Sequence, residues 1–385
     1  MPSKTEQFVG RESELDQLKS ILSRFAAAPS LKAGLNIVSL SGSGGVGKTY
    51  LLDTAFEEAR AALKQAVIVK IDASNENALK EFALMVDQML APTELPAPAK
   101  AKHDYFPATR ALLRRQLQLI GMVETEISNN KEISDQAKSV AKAIYRFSPA
   151  LKYIPKYGTA AAMALKGMEA IKAEDYIEPA LDVLSSLSAL KDTGGIFANP
   201  LTKRRFTALR HSPYEAISEA YVSDLSAILQ SYQKRDILRL THTSIEGLNR
   251  FVLIVDDFEV VGRVLGSFLV EGLLPKLKNA LFSTLVIILG RDSVYDANKD
   301  FAHHLAGNIT ELIKLEPFSQ GDGVKYLMGF GYTENEAVDW YSKSRVRCSR
   351  FLDQEIRESR QDESNRTQTL HGGVQGHSRG SSEHW

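Results

Sequence analysis

Lys48 closes a run that is mostly bare backbone. In "SGSGGVGKTY" (41–50) four of ten residues are glycine, and the order is G-x-x-x-x-G-K-T with Gly42, Gly47, Lys48 and Thr49 in the fixed positions. Glycines let successive backbone N–H groups turn into one concavity that side chains would obstruct. The chemistry that such a loop serves is phosphate binding. Gly42, Ser43, Gly44, Gly45, Val46, Gly47, Lys48, Thr49 and Tyr50 would wrap the phosphates, with Lys48 reaching the β- and γ-groups and the Thr49 hydroxyl ligating Mg²⁺. The plain alternative is a glycine-rich turn between a strand and a helix. A lone glycine pattern would leave that open; the full eight-residue pattern in the right context is far more specific.

A second group of chemical residues stands in "RFVLIVDDFEVV" (250–261). Phe251 to Val255 is an unbroken apolar run, the pattern of a central strand in a parallel sheet. Two carboxylates follow at its carboxyl end, where open α/β sheets bind their ligands. Asp256 would hold Mg²⁺ through water. Asp257 would orient and deprotonate an attacking water. Adjacent side chains on an extended segment diverge, so the two acids are given separate tasks. Glu259 is a further acidic candidate. A strand ending in a solvated acidic turn is common, so this motif is weak alone and strong beside the glycine loop. A third strand, "STLVIILGRD" (283–292), ends at Arg291, which could sense a γ-phosphate or could be an ordinary surface arginine.

These residues need a scaffold, and the sequence supplies one. "LNIVSL" (35–40) reads as the strand before the loop, and "KTYLLDTAFEEARAAL" (48–63) carries Leu51, Leu52, Ala55, Phe56, Ala59 and Leu63 at helical spacing. That helix would turn its N-terminus, with free N–H donors, toward the phosphates. "QAVIVKID" (65–72) is a further strand, and 265–282 reads as a helix with a break at Pro275. The expected fold class is α/β: a P-loop NTPase parallel sheet flanked by helices, with a mostly α-helical insertion and a disordered C-terminal tail.

Composition narrows the class. The 385 residues are 44% hydrophobic and 24% charged, with Lys+Arg and Asp+Glu both at 47. That is ordinary for a globular chain and gives no global attraction to nucleic acid. The single cysteine, Cys348, excludes an intrachain disulfide framework and fits a reducing, cytoplasmic setting. The N-terminus lacks an apolar signal-peptide core, and no window of 18 uninterrupted apolar residues occurs, so no transmembrane segment is expected. His303 and His304 are adjacent rather than at ligand spacing, and no metal site is read there. "NKD" (298–300) has Phe301 where a guanine-reading aspartate would stand.

Taken in order, "FVGRESELDQL" (8–18), the glycine loop, "VLIVDDFE" (252–259), "VIILGRD" (286–292) and "IKLEPFS" (313–319) resemble a STAND-type ATPase, the signal-transduction branch of the AAA+-related P-loop NTPases. The resemblance covers roughly residues 6–90 and 213–335. It implies ATP with Mg²⁺ as the ligand and adenine as the base. It places Phe8, Val9, Gly10 and Arg11 at that base, and matches the family's paired acids to Asp256 and Asp257 and its following arginine to Arg291. On local physics, Leu15, Leu18, Leu22 and Phe25 fall on one helical face that can dock on the sheet.

The chain departs from that pattern in two places. Between the second strand and the Asp256 strand lie residues 73–250, entered through the Pro/Ala stretch "APTELPAPAKA" (91–101). Leu113, Leu117, Ile120 and Ile127, then Ile133, Ala137, Val140, Ile144 and Phe147, recur at helical intervals and suggest one or two amphipathic helices, a helical hairpin being one arrangement of them. Further helices are expected over 159–173 and 177–190, and a helix over 214–232 returns to the core. The domains expected are therefore 1–95, the first half of the ATPase core; 96–212, a helical insertion; 213–340, the second half; and 341–385, a polar tail. The insertion reads as packing helices or as an arm for a protein partner or self-association. The basic cluster "TKRRF" (202–206) reads as a solvated loop or a phosphate contact, and Arg204, Arg205 and Arg263 are equal candidates for an arginine finger. From Glu358 onward only Leu370, Val374 and Trp385 are large apolar residues, too few for a core. That abrupt change fits a natural disordered tail or an altered reading frame. The function expected is an ATP-binding switch with slow Mg-dependent hydrolysis. The alternatives are an origin-recognition-like DNA-loading ATPase and a nucleotide-binding scaffold without hydrolysis.

Overall fold

The computed structural model describes residues 10–27, 34–63, 66–72, 82–94, 105–129, 131, 134–147, 180, 212–238, 250–297, 301, 304–329 and 331–343. The apolar runs become strands and the 3.6-spaced segments become helices. α1 (Glu12–Ala27) opens with Glu12 and Glu14 and closes near Arg24, charges that complement its dipole. It buries Leu15, Leu18, Leu22 and Phe25, the face expected to dock. β1 (Gly34–Gly42) leads through the glycine loop into α2 (Lys48–Ala59), and β2 (Ala66–Ile71) follows. The helices α3 (Phe82–Gln88), α4 (Pro107–Asn129), α5 (Asp135–Phe147) and α6 (Pro213–Leu238) precede β3 (Arg250–Val255). After β3 come α7 (Phe258–Ser267), α8 (Leu274–Lys278), β4 (Ser283–Gly290), α9 (Val294–Ala297), β5 (Ile309–Leu315), α10 (Gln320–Gly329) and α11 (Glu334–Lys343).

The five strands form one sheet in the order β2-β3-β4-β1-β5. β1 with β4, β3 with β4, and β2 with β3 all pair in parallel. The fold is thus the expected α/β parallel sheet flanked by helices. β3 and β4 are buried along their whole length, which is why both read as continuous apolar runs rather than alternating ones. The register sets Val255 level with Ile288 of β4, and Ile288 level with Ser39 of β1, so β1 and β3 run to the same edge with β4 between them. Two strand spacings, about 9–10 Å, separate β1 from β3 there.

Pro275 behaves differently from the expected helix break. α7 passes through a π-helical turn (Phe268–Leu273) directly into α8, and Pro275 lies at the first turn of α8. Its missing N–H and bulky ring are accommodated where the hydrogen-bond register has already changed. The π turn packs on α6: a Cβ at Gly272 would stand 2.8 Å from the Ser218 hydroxyl.

Two compact units make up the chain, one of 1–18, 42–55 and 315–385 and the other of 19–41 and 56–314. The first has a small core of Phe318, Val324, Tyr326, Leu327, Ala337 and Tyr341, in which the Tyr341 hydroxyl donates to the Phe318 carbonyl at 2.7 Å. α10 and α11 both start on capping boxes, "SQGD" (319–322) and "TENE" (333–336), and hydrogen bonds from Thr333 hold the Glu336 carboxyl below its ordinary range. The second unit holds the main core. α4 belongs to it, since Phe106, Leu113 and Leu119 share a cluster with Phe251, Leu253 and Val255 of β3. Phe106 stacks on Tyr221 of α6, ring centroids 4.9 Å apart, and the Tyr221 hydroxyl donates to the Met89 carbonyl at 3.1 Å. The expected helices over 159–173 and 177–190 and the basic cluster lie outside the described residues, apart from Ala180. The tail beyond residue 343 lies outside them too.

Asp224 of α6 joins α4 to this core. Its buried carboxylate accepts from the Thr109 backbone N–H at 2.9 Å and from the Thr109 hydroxyl at 2.8 Å, satisfying a donor that the first turn of α4 leaves open. Asp224→Ala should cost about 1–3 kcal/mol of unfolding free energy, because two buried donors lose their acceptor. Asp224→Asn should recover most of it. Urea denaturation of both variants checks this, and equal losses would show that the charge rather than the acceptor matters.

Candidate functional site

The glycine loop is built on left-handed turns. Gly42, Gly45 and Gly47 have φ of 155°, 78° and 94°, conformations that side-chain-bearing residues rarely adopt. Gly42 is also sterically fixed, because a Cβ there would lie 2.6 Å from the Leu315 carbonyl oxygen. The loop closes with Val46 N–H donating to the Ser43 carbonyl at 3.3 Å, and α2 begins at Lys48. The Lys48 ammonium is buried and donates to the loop's own carbonyls, Gly42 at 2.7 Å and Ser43 at 3.1 Å. Thr49 is half-buried and Tyr50 is exposed. A glycine loop in left-handed turns, a lysine held over it and a helix N-terminus are the parts that an anionic phosphate chain uses.

Of the segment expected at the base, Phe8 and Val9 lie outside the described residues. Gly10 has φ 73° and no room for a Cβ, which would fall 2.6 Å from the Asp322 carboxyl carbon. Arg11 is buried with its guanidinium engaged: it pairs with Glu14 at 3.0 Å, donates to the Glu316 carbonyl and lies 5.0 Å from the Phe318 ring centroid. Burial works to raise the Glu14 carboxyl, but hydrogen bonds from Ser13, its own backbone N–H and Arg11, together with the Arg11 charge, leave it below the usual range. Within this unit the Gly10–Arg11 segment is thus held by residues 316–322, a junction that the sequence reading missed. The "SQGD" capping box was its legible half; the partner of Arg11 had no sequence signal.

At the carboxyl end of β3 the two acids take different backbone shapes. Asp256 continues the strand, its N–H bonding the Ile71 carbonyl at 2.9 Å, and its residue is buried. Asp257 is not extended as expected. It has φ 50° and ψ 53°, the one positive φ outside glycine among the described residues. The reason is the reversal from β3 into α7, which Asp257 precedes as N-cap; aspartate tolerates the left-handed region better than most residues. The Asp257 N–H bonds the Asp256 carboxylate at 3.0 Å, and its side chain is exposed. The two carboxylates are still set apart, but by a turn rather than by strand alternation.

Two opposite-charge pairs stand here. Lys70 of β2 stands 3.3 Å from the second oxygen of Asp256. Arg291, largely exposed at the end of β4, pairs with Glu259 through Nε at 3.0 Å, and its backbone N–H donates to the same carboxylate at 3.1 Å. Glu259, the further acidic candidate, is thereby committed to Arg291. Lys70 was missed in the sequence, although a charge inside the apolar run "AVIVKI" was its visible signal. Among the described residues no three His, Cys, Asp or Glu side chains gather into a metal site, and no helix is long and apolar enough to cross a membrane. His303, "NKD" (298–300), Arg204, Arg205 and the Arg263 side chain lie outside the described residues.

A family model described as an AAA ATPase domain matches residues 7–274, which take in the Gly10–Arg11 segment, the glycine loop, β2 and the acids after β3. No curated protein matches the chain significantly.

The left-handed turn has a measurable cost. Asp257→Gly should be more stable than Asp257→Ala by about 1 kcal/mol in urea denaturation, because only glycine enters that region freely. Equal stability of the two variants would mean that the turn is not left-handed in solution.

Proposed function

The chain belongs to the AAA ATPase domain family, and from that premise we propose that it is an ATP-dependent switch of the STAND type that hydrolyses ATP slowly. The family's ligand is ATP with Mg²⁺. The observation that carries the reading is the loop itself: three left-handed glycines, a buried lysine donating to that loop and the start of α2, all following a strand of the parallel sheet.

The residues fit the ligand in kind. The loop's N–H groups and α2 would hold the phosphates, and Lys48 would exchange its loop carbonyls for β- and γ-phosphate oxygens, a charge-assisted replacement for neutral acceptors. The Thr49 hydroxyl and the Asp256 carboxylate are the residues that would hold Mg²⁺, being hard oxygen donors of the kind it takes. Mg²⁺ supplies charge stabilisation to the transferring phosphoryl group. Asp257, exposed on its turn, would accept the proton of the attacking water. Arg291 would leave Glu259 for the γ-phosphate and so report its presence. Phe8, Val9, Gly10 and Arg11 would border adenine, the backbone and the two apolar side chains facing the base while the Arg11 guanidinium keeps its structural contacts. Residues 96–212 would carry the nucleotide state to a protein partner or a second copy of the chain, in a cytoplasmic setting.

Three variants separate binding from turnover. Lys48→Ala should lose most Mg·ATP affinity while remaining folded, measured by calorimetric titration. Asp257→Asn should bind Mg·ATP at parental affinity while single-turnover hydrolysis falls by roughly 10²–10⁴-fold, the usual loss with a general base. Asp256→Asn should instead weaken the magnesium dependence of binding. Parental hydrolysis by Asp257→Asn would contradict its role. A parent that binds ATP and never hydrolyses it would replace the slow ATPase by a binding-only switch.

A further inference from the structure

β2 is apolar except at one position. Of its six residues Lys70 alone is charged and Lys70 alone is not fully buried. The register explains what the charge does there. Lys70 is level with Ile254 and Ile71 with Val255, so Lys70 lies just behind Asp256 on the adjoining strand. The ladder continues one step past the strands through the Asp256 N–H and the Ile71 carbonyl, at 2.9 Å. That step fixes the Asp256 backbone relative to β2 and brings its Oδ2 to 3.3 Å from the Lys70 ammonium, while Oδ1 accepts from the Asp257 N–H at 3.0 Å. The Asp256 side chain is 8% exposed and that of Lys70 is 25% exposed. A carboxylate that far from water needs a compensating charge, and β2 supplies it.

We propose that Lys70 is a resident counter-ion that competes with the divalent cation for Asp256, so that metal entry displaces Lys70 and the exchange sets how much Mg²⁺ the site demands. This deepens the ATP reading above and rests on it. An ammonium and a divalent cation at the same carboxylate repel each other, so occupancy by one weakens that of the other. Lysine suits the exchange: its charge is compact, its stem is flexible, and its partial exposure gives the head a route to water. Lys70 is thus a positioning residue. It keeps the Asp256 carboxylate aimed while no metal is present, and it withdraws when the metal arrives. If the pair served only to hold β2 to β3, neutralising Lys70 would cost stability and leave metal demand untouched.

The test is a magnesium titration of binding of a fluorescent ATP analogue to the full chain. Lys70→Met keeps the stem and removes the charge; Lys70→Gln is the second neutral variant. In either, the half-maximal Mg²⁺ concentration should fall roughly two- to fivefold, the scale of a partly exposed ion pair, whereas Lys70→Arg should stay near the parent. In the Asp256→Asn background, Lys70→Met should change nothing. An unchanged or raised Mg²⁺ requirement in a folded neutral variant overturns the proposal. So does failure of both neutral variants to fold while Lys70→Arg folds, which makes the pair structural. If the parent binds no nucleotide at all, the ATP reading fails by itself, and melting in MgCl₂ without nucleotide decides the Lys70 claim. The neutral variants should then gain more in melting temperature from Mg²⁺ than the parent, and an equal gain overturns it.

Discussion

Everything at the candidate site depends on β3 and β4 being buried on both faces. A strand covered on both sides has little place for a charge in its middle, since an uncompensated charge there would cost several kcal/mol, and the one charged residue of β3, Arg250, stands at its first position. Polar chemistry is therefore displaced to the ends. Parallel pairing puts the carboxyl ends of β3 and β4 at one edge, so the acids after β3 and Arg291 after β4 leave the sheet on the same side. The order β2-β3-β4-β1-β5 adds a second consequence: one strand stands between the loop's strand and the acids' strand.

Three cations of the proposed site already have partners within the chain. Lys48 rests on two loop carbonyls, Lys70 on Asp256 and Arg291 on Glu259. Under the proposed function, ligand binding at this edge is an exchange of partners rather than the filling of a bare charged cavity. Exchange has a physical advantage. The protein does not store unpaired buried charge, and the free energy of binding is a difference between two satisfied states, which suits a switch better than a tight store of ligand. Arg11 illustrates the opposite case. Its guanidinium is engaged by Glu14, the Glu316 carbonyl and the Phe318 ring within its own unit, so its part is to hold the segment that precedes α1 rather than to trade partners.

Much of this was legible from the sequence, for reasons that can be named. The glycine loop carries its own geometry in its residue types, since only glycine enters the left-handed region freely at Gly42, Gly45 and Gly47. β2, β3 and β4 announced themselves as short apolar runs, and the docking face of α1 as a 3.6-residue spacing. What was hidden depends on pairing between distant segments. The order of strands cannot be read from any one strand, so Lys70 could not be matched to Asp256 without the register. The turn at Asp257 was read as extended because aspartate fits both conformations, and only the demand of entering α7 selects the left-handed one. The π turn before Pro275 was read as a break because the same proline signal serves both outcomes. The attachment of residues 316–322 to Gly10 and Arg11 joins chain segments some three hundred residues apart, beyond the reach of local pattern.

The central claim is that a nucleoside triphosphate binds in the loop between β1 and α2. Amide hydrogen exchange followed peptide by peptide, with and without Mg·ATP, tests it most directly. The account predicts that the amides of residues 42–50 become markedly slower to exchange with Mg·ATP, because their N–H groups are taken up by phosphate oxygens, while the outer strand β5 changes little. Binding of Mg·ATP that leaves exchange across residues 42–50 unchanged would contradict the account and put the nucleotide elsewhere in the chain.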